Sequence, residues 1–242
     1  EDGAVYQVPA KVAFPLAEGK PEAVEVLGDL DSMTKYEGEK PLMSIDNYEN
    51  MLRKISRICY EELFGQEMKV KDRSVLIHYL ESVKALGDAS GCQTFFTETE
   101  MEINNVSNHV VGDGMARDVV DFDRGTCDVG TEKLTGYSRL AFPAKIREIN
   151  PGSVMVPVGN LYLPSAMAGV NQSSPNQDMA REFIRCLLSY EVQKEDLYDG
   201  FPVNKKALQF LTQSDSRDNF SESVGYKDGY HLSANWPSLE VR

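Results

Sequence analysis

Apolar positions recur three and four apart in three stretches of this chain, and elsewhere gather into short runs broken by glycine or proline. The first periodic stretch is "SIDNYENMLRKISRICYEELFG", where Tyr48, Leu52, Ile55, Cys59 and Leu63 share one helical face. Ser44 stands where an N-cap belongs, Asp46 in the first turn and Gly65 at the end. A second helix is predicted from Asp72 as cap, through Leu76, Tyr79, Leu80, Val83 and Leu86, to Gly87 as the C-terminal glycine. The third carries the strongest signals. In "SSPNQDMAREFIRCLLSYEVQ", Ser174 is the N-cap, Pro175 the first helical residue and Gln177 the far side of a capping box. Its face of Met179, Ala180, Phe183, Ile184, Leu187 and Leu188 predicts a helix over 175–192 with those residues buried.

The short runs read as strands. Ala4–Val8 is one, ended by Pro9, which has no N–H to give a ladder. "EAVEVLGDL" reads as another, closed by Gly28, with Asp29 or Asp31 capping a short helix beyond it. "SRLAFPA" and "GSVMVPVGNLYLPSA" are predicted strands interrupted by Pro143, Pro157 and Pro164, a pattern of edges, bulges or crossings. Between 88 and 135 the chain is polar, with "TFF" and "HVV" as strand candidates. From Ser214 the tail is polar until "YHLSANWPSLEVR". "GFPVNKKAL", Gly200–Leu208, pins its backbone with a glycine and a proline around one aromatic before a basic helical start. Strands interleaved with helices indicate an α/β or α+β chain, and 242 residues suffice for one large domain or two small ones.

Composition changes the picture mainly by exclusion. Asp and Glu number 38 against 25 Lys and Arg, for a formal charge of −13. That argues against a nucleic-acid partner and against polybasic attachment to anionic lipid. No apolar run approaches the ~18 residues of a membrane span. The chain opens at Glu1 without an initiator Met, as expected of a processed or trimmed protein, so the missing signal peptide says nothing of compartment. Cys59, Cys92, Cys127 and Cys186 include no C-x-x-C pair, which disfavours zinc and dithiol chemistry. Cys59 and Cys186 fall on helical stripes and read as buried thiols; whether Cys92 and Cys127 pair is left open.

No cofactor motif and no catalytic motif is present: there is no H-E-x-x-H, G-x-S-x-G, G-x-G-x-x-G or Walker-type loop. His78, His109 and His231 are dispersed, and His78 reads as a histidine on a helix flank. Asp121, Asp123 and Asp128 offer oxygens at spacings calcium accepts, but glycine falls one place early and the terminal bidentate Glu is missing. The expectation is therefore no metal and no catalytic residue. Flat aromatic side chains stack on sugar rings, which makes Trp236, with Tyr226 and Tyr230 near it, either a ligand platform or an anchor for the tail.

From Gly159 to Leu208 the sequence resembles the extracellular solute-binding proteins of bacterial ABC importers, most of all the carbohydrate-type families of Gram-positive bacteria. The residues that carry this are "AGVNQSSPNQDMAREFIRCLLSYEVQ" followed by "GFPVNKKAL", with Val170, Asn171, Ser174, Asn176, Ala180, Glu182, Phe183, Leu187, Leu188, Glu191 and Gln193 in register. "DGAVYQVPA" at the start is similar to the family's crossing between lobes. The resemblance implies a type II periplasmic-binding-protein-like lobe, a mixed sheet flanked by helices. On that reading 1–242 is one α/β unit, mainly the second lobe, with crossing segments near 4–10, 155–165 and 198–206 and the first lobe largely absent. It implies a monomeric, extracellular, lipid-anchored protein in its full-length form, which binds a solute, a sugar or oligosaccharide, and delivers it to a membrane permease without enzymatic turnover. Tyr6, Asn160, Tyr162 and Trp236 are the ligand-binding residues it implies. A secreted glycan-processing enzyme with dispersed carboxylates, or a structural surface module, is the alternative.

Overall fold

The computed structural model of the chain describes residues 7–45, 47–65, 69–92, 119–159, 161–195, 199–213, 221–225 and 229–238. Its organising element is one long strand, β1, Gln7–Gly19. With β2 (Val129–Leu134) and β3 (Val154–Pro157) it forms the order β2-β1-β3, and β4 (Leu163–Gly169) and β5 (Phe201–Pro202) also pair with it. Helices flank the sheet, so the class is mixed α/β. Pro9 does not end the strand. The β1–β4 register shifts between Pro9 and Lys11, and a bulge is where a residue without an N–H is tolerated in a ladder.

Contacts within the chain gather into two compact units, where the sequence reading expects one. The first holds Glu1–Pro15, Leu134–Lys145 and Leu161–Arg242, and the second Leu16–Lys133 and Ile146–Asn160. The chain therefore changes unit at 15/16, 133/134, 145/146 and 160/161. The last of these falls within the expected crossing at 155–165, whereas 4–10 and 198–206 lie inside the first unit.

The second unit is built on helices α1 (Pro21–Glu25), α2 (Leu30–Thr34), α3 (Tyr48–Ile58), α4 (Tyr60–Leu63), α5 (Arg73–Ser90) and α6 (Val119–Asp123). The strand expected at 22–30 is helix α1 instead, because Pro21 sits in its first turn, where a missing N–H costs nothing. Asp29 does cap α2, its carboxylate accepting from the Ser32 N–H at 2.7 Å. Helix α3 starts at Asn47 rather than Ser44, with Asn47 Oδ1 accepting from the Asn50 N–H at 2.9 Å. Asp72 caps α5 as predicted, but Gly87 does not end it. A Cβ at Gly87 would lie 2.4 Å from the Tyr48 ring, so this glycine is a packing notch between α3 and α5. The helix stops at Gly91, whose φ of +69° suits glycine. Met51, Ile55, Leu30 and Ala17 are buried at the centre of the core that these elements enclose.

The first unit holds Gln7–Pro15 of β1, β4, β5, helices α8 (Gln177–Leu187), α9 (Tyr190–Gln193) and α10 (Lys205–Gln213), and a hairpin of β6 (Ser221–Gly225) with β7 (His231–Asn235). Residues 138–144, expected as a strand, form a 3-10 turn (Tyr137–Leu140) and the start of helix α7 (Ala141–Ile149), with Pro143 accepted in its first turn. Ser174 is not the cap of α8: its hydroxyl accepts from Asn176 N–H at 3.1 Å, and Gln177 donates to the Gln172 carbonyl at 2.7 Å. The largest departure is in burial. Phe183 is 67% and Met179 72% exposed, so the face predicted to be buried is open. Cys186, on that helix, is exposed rather than buried. "TFF" and "HVV" lie outside the described residues.

Candidate functional site

The connector that stood out in the sequence has a structural answer. Its Phe201–Pro202 pair forms β5, antiparallel to β1 with Lys11 opposite Pro202 and Val12 opposite Phe201. Gly200 is required there: its φ is +143°, and a Cβ would sit 2.3 Å from Ser165 Oγ and 2.8 Å from Lys11 Cβ. Gln193, fully buried, holds the join by three hydrogen bonds. Its amide nitrogen donates to the Ala10 and Leu187 carbonyls at 3.0 and 2.9 Å, and its oxygen accepts from the Val203 N–H at 3.0 Å. Asn204 then caps α10, accepting from the Lys206 and Ala207 N–H groups, while its own amide donates to the Leu188 carbonyl at 3.0 Å. Beside it, the nearly buried Lys11 donates to the Glu195 carbonyl at 3.4 Å and lies 3.6 Å from Asp199.

This fastening brings three rings together. Phe201 is buried, with Phe14 at 5.5 Å between centroids and Tyr137 edge-on to it at 5.1 Å. The Tyr137 hydroxyl shares a hydrogen bond with Thr212, which fixes the ring at the bottom of the pile. Phe14, 39% exposed, is the ring that reaches solvent. Ala13 pairs with Leu163 at the end of the β1–β4 register, and Tyr162 is the residue just before β4. Tyr162 is 55% exposed. Phe14 is thus a partly exposed ring backed by a rigid ring cluster in the first unit. Such faces accept the C–H side of a pyranose, and the fixed backing lowers the entropy lost on binding.

Of the residues expected to bind ligand, Tyr162 is exposed in the segment just before β4. Trp236 follows β7 and is half-buried, and Tyr6 and Asn160 lie outside the described residues. Sequence reasoning missed Phe14. Its signal was "AFPL", a lone aromatic between small residues and a proline just before the chain leaves the unit. Farther along β1, Gln7, Gln172, Gln177, Arg181 and Ile184 line a recess of about 380 Å³.

The residues with metal-like spacing diverge. Asp121 pairs with Arg124 at 2.9 Å, and Asp123 accepts from Asn150 at 2.8 Å. Asp128 is buried against Lys20 at 2.8 Å and Tyr36 at 3.0 Å. Among the described residues no three His, Cys, Asp or Glu side chains gather to hold a metal ion. Neither Cys92 nor Cys127 is in a disulfide, and the Cys92 thiol donates to the Ile45 carbonyl at 3.2 Å. Glu18 is the carboxylic acid whose proton is held most strongly among those with a resolved shift. Burial pushes it up to about 8, against the Ser153 hydroxyl and the Arg147 charge, which favour ionisation. It is wholly inside the second unit, so this protonated acid cannot reach a glycosidic oxygen.

The chain matches no protein-family model and no curated protein sequence. Among solved structures it is similar to the GacH receptor of Streptomyces glaucescens GLA.O, determined unliganded and in complex with acarbose and an acarbose homolog. The identity is 13% and the TM-score 0.43, over 86% of this chain and 55% of that one. The chain therefore spans little more than half the receptor's length, and a TM-score below 0.5 marks a likeness too distant to assign a family.

Proposed function

We propose that this chain is the solute-holding part of a non-enzymatic binding protein whose ligand is a carbohydrate. The observation that carries the reading is the ring cluster: Gly200, Gln193 and Asn204 all serve to fasten Phe201 beneath the solvent-facing ring of Phe14. The motif resemblance from Gly159 to Leu208 supports it, since Gln193, Gly200 and Asn204, which do the fastening, are among the residues shared with solute-binding proteins. On the same resemblance, the full-length protein is a monomeric surface lipoprotein that hands its solute to a membrane permease, and the crossings near 155–165 belong to a hinge between lobes.

The test is calorimetric titration of the 242-residue chain with a panel of malto-, xylo- and galacto-oligosaccharides, followed by assay for new reducing ends. We expect saturable binding of one class without turnover, weakened about tenfold or more by Phe14→Ala, a loss of ~1.4 kcal/mol or more. Binding that is unchanged in both Phe14→Ala and Tyr162→Ala would remove the platform. Release of new reducing ends would make the protein a glycan-processing enzyme instead.

A further inference from the structure

The first unit contains a recess that the ring cluster does not use. It lies where the β1–β4 ladder ends, at the pairs of Gln7 with Gly169 and Val8 with Ala168. Helix α8 forms its other side through Gln177, Arg181 and Ile184, which follow one another along a single helical face. The turn after β4 adds Val170 and Gln172. The volume is about 380 Å³, in the lower part of the range for small-molecule sites and enough for one six-membered ring with its substituents. Every one of these residues belongs to the first unit. Gln7 and Phe14 stand about 20 Å apart on β1, at the ~3.3 Å rise per residue of a strand, so the two places are distinct.

Charge is the first guide to an occupant. The chain carries a formal charge of −13, yet among the described residues that line the recess none is Asp or Glu, and the charged one is Arg181. A dianion such as phosphate would find no second cation among them.

How Arg181 is held is the second guide. Its Nη2 donates to Gln177 Oε1 at 3.1 Å, and Gln177 Nε2 donates onward to the Gln172 carbonyl at 2.7 Å. Its Nη1 donates to Asp178 at 2.8 Å, on the side away from the recess lining, where the Asp178 side chain is fully exposed. These bonds orient the guanidinium and leave three of its five N–H groups in the same plane. An ion pair as hydrated as this one is worth little, so Asp178 does not hold the fork against a second carboxylate. A planar fork of N–H donors is the partner a carboxylate fits best.

The neighbouring groups supply the rest. The side-chain amides of Gln7 and Gln172 make no hydrogen bond to another described residue. Each offers a donor and an acceptor, which is what a hydroxyl needs. Val8, Val170 and Ile184, all half-buried, give apolar surface for the C–H side of a ring.

We propose that this recess binds a hydroxylated carboxylic acid of the size of one sugar ring, with its carboxylate on Arg181 and its hydroxyls on Gln7 and Gln172. The site stands whether or not Phe14 holds a carbohydrate.

D-galacturonate serves as the probe, titrated calorimetrically at low salt into the 242-residue chain. D-galactose, which lacks the carboxylate, and acetate, which lacks the hydroxylated ring, are titrated beside it. The expected result is saturable single-site binding of galacturonate, about tenfold or more tighter than either control. In nitrogen-15 spectra the Arg181 Nε–H and the side-chain amides of Gln7 and Gln172 should move together. Arg181→Gln, at an exposed position, should bring galacturonate down to the level of galactose without lowering the thermal midpoint. Asp178→Asn removes the competing acid and should tighten galacturonate about twofold or more, with galactose unchanged. Absence of saturation, a control that binds as tightly as galacturonate, or a preference for galacturonate that survives Arg181→Gln would each overturn the site. So would unchanged or weaker galacturonate binding in Asp178→Asn, which carries the test independently of the arginine variant.

Discussion

Helices α3 and α8 are each eleven residues long, and both carry a strong apolar stripe opposite a charged face. Helix α3 buries Met51, Lys54, Ile55 and Ile58 against α5 and the core of the second unit. Helix α8 buries no residue, and Met179 and Phe183 stand in solvent. The difference lies in what each unit supplies around its helix. In the second unit α5 and α2 close over α3 and the sheet, with Tyr79 reaching across to donate its hydroxyl to the Leu52 carbonyl at 2.5 Å. Strand β4 in the first unit is itself largely exposed, and α8 is tied mainly by its loops and by i, i+3 pairs such as Arg181 with Asp178 at 2.8 Å. An amphipathic period says that a face can be buried; it does not supply the surface that buries it.

Three changes would break or sharpen this contrast. The largest effect belongs to Ile55→Ala in α3. Ile55 is fully buried, and removing three carbons from a closed core should cost about 2–5 kcal/mol in urea unfolding of the second unit. A cost below about 0.5 kcal/mol would mean that this core is far looser than its packing indicates.

The second change concerns how completely the second unit excludes water. Glu18 keeps its proton up to about 8 in the folded chain, against an ordinary value of 4.5. Its contribution is fully present below pH 4.5 and is lost as pH rises through about 8, because the unfolded chain releases this proton first. Thermal midpoints measured from pH 5 to 9 should therefore fall with a slope that Glu18→Gln removes, a difference on the order of a few kcal/mol at the alkaline end. Identical pH profiles for the two proteins would place Glu18 in contact with water.

The smallest effect is expected at Phe183→Ala in α8, about 0.5 kcal/mol or less, since the ring is already mostly hydrated. A loss of about 3 kcal/mol, the cost of a core aromatic, would show instead that the stripe of α8 is covered in solution.

What the chain's own order of residues determined was local. The caps at Asp29 and Asp72 and the periods of α3 and α5 rest on interactions within a few residues, which a linear pattern records; β3 and β4 were legible only as apolar runs, since their ladders come from the distant β1. The glycine and proline of "GFPVN" likewise announced a fixed turn of the backbone. Elsewhere proline misled: Pro143 lies in a first helical turn where a break in a strand was expected, and Pro21 opens a helix over a run read as a strand, because one residue type serves a first helical turn and a strand edge alike. The β6–β7 hairpin was missed although Leu232 and Ala234 alternate with polar residues in β7, because β6, "SESVG", offers one apolar side chain and no period. Tertiary structure alone decided that Gly87 packs against Tyr48 instead of ending a helix, that Gln193 reaches from α9 to Ala10, and that Phe14 and Phe201 meet across 187 residues of chain. Each of these depends on distant segments arriving at the same place, and side-chain chemistry at one position carries no record of which surface will arrive.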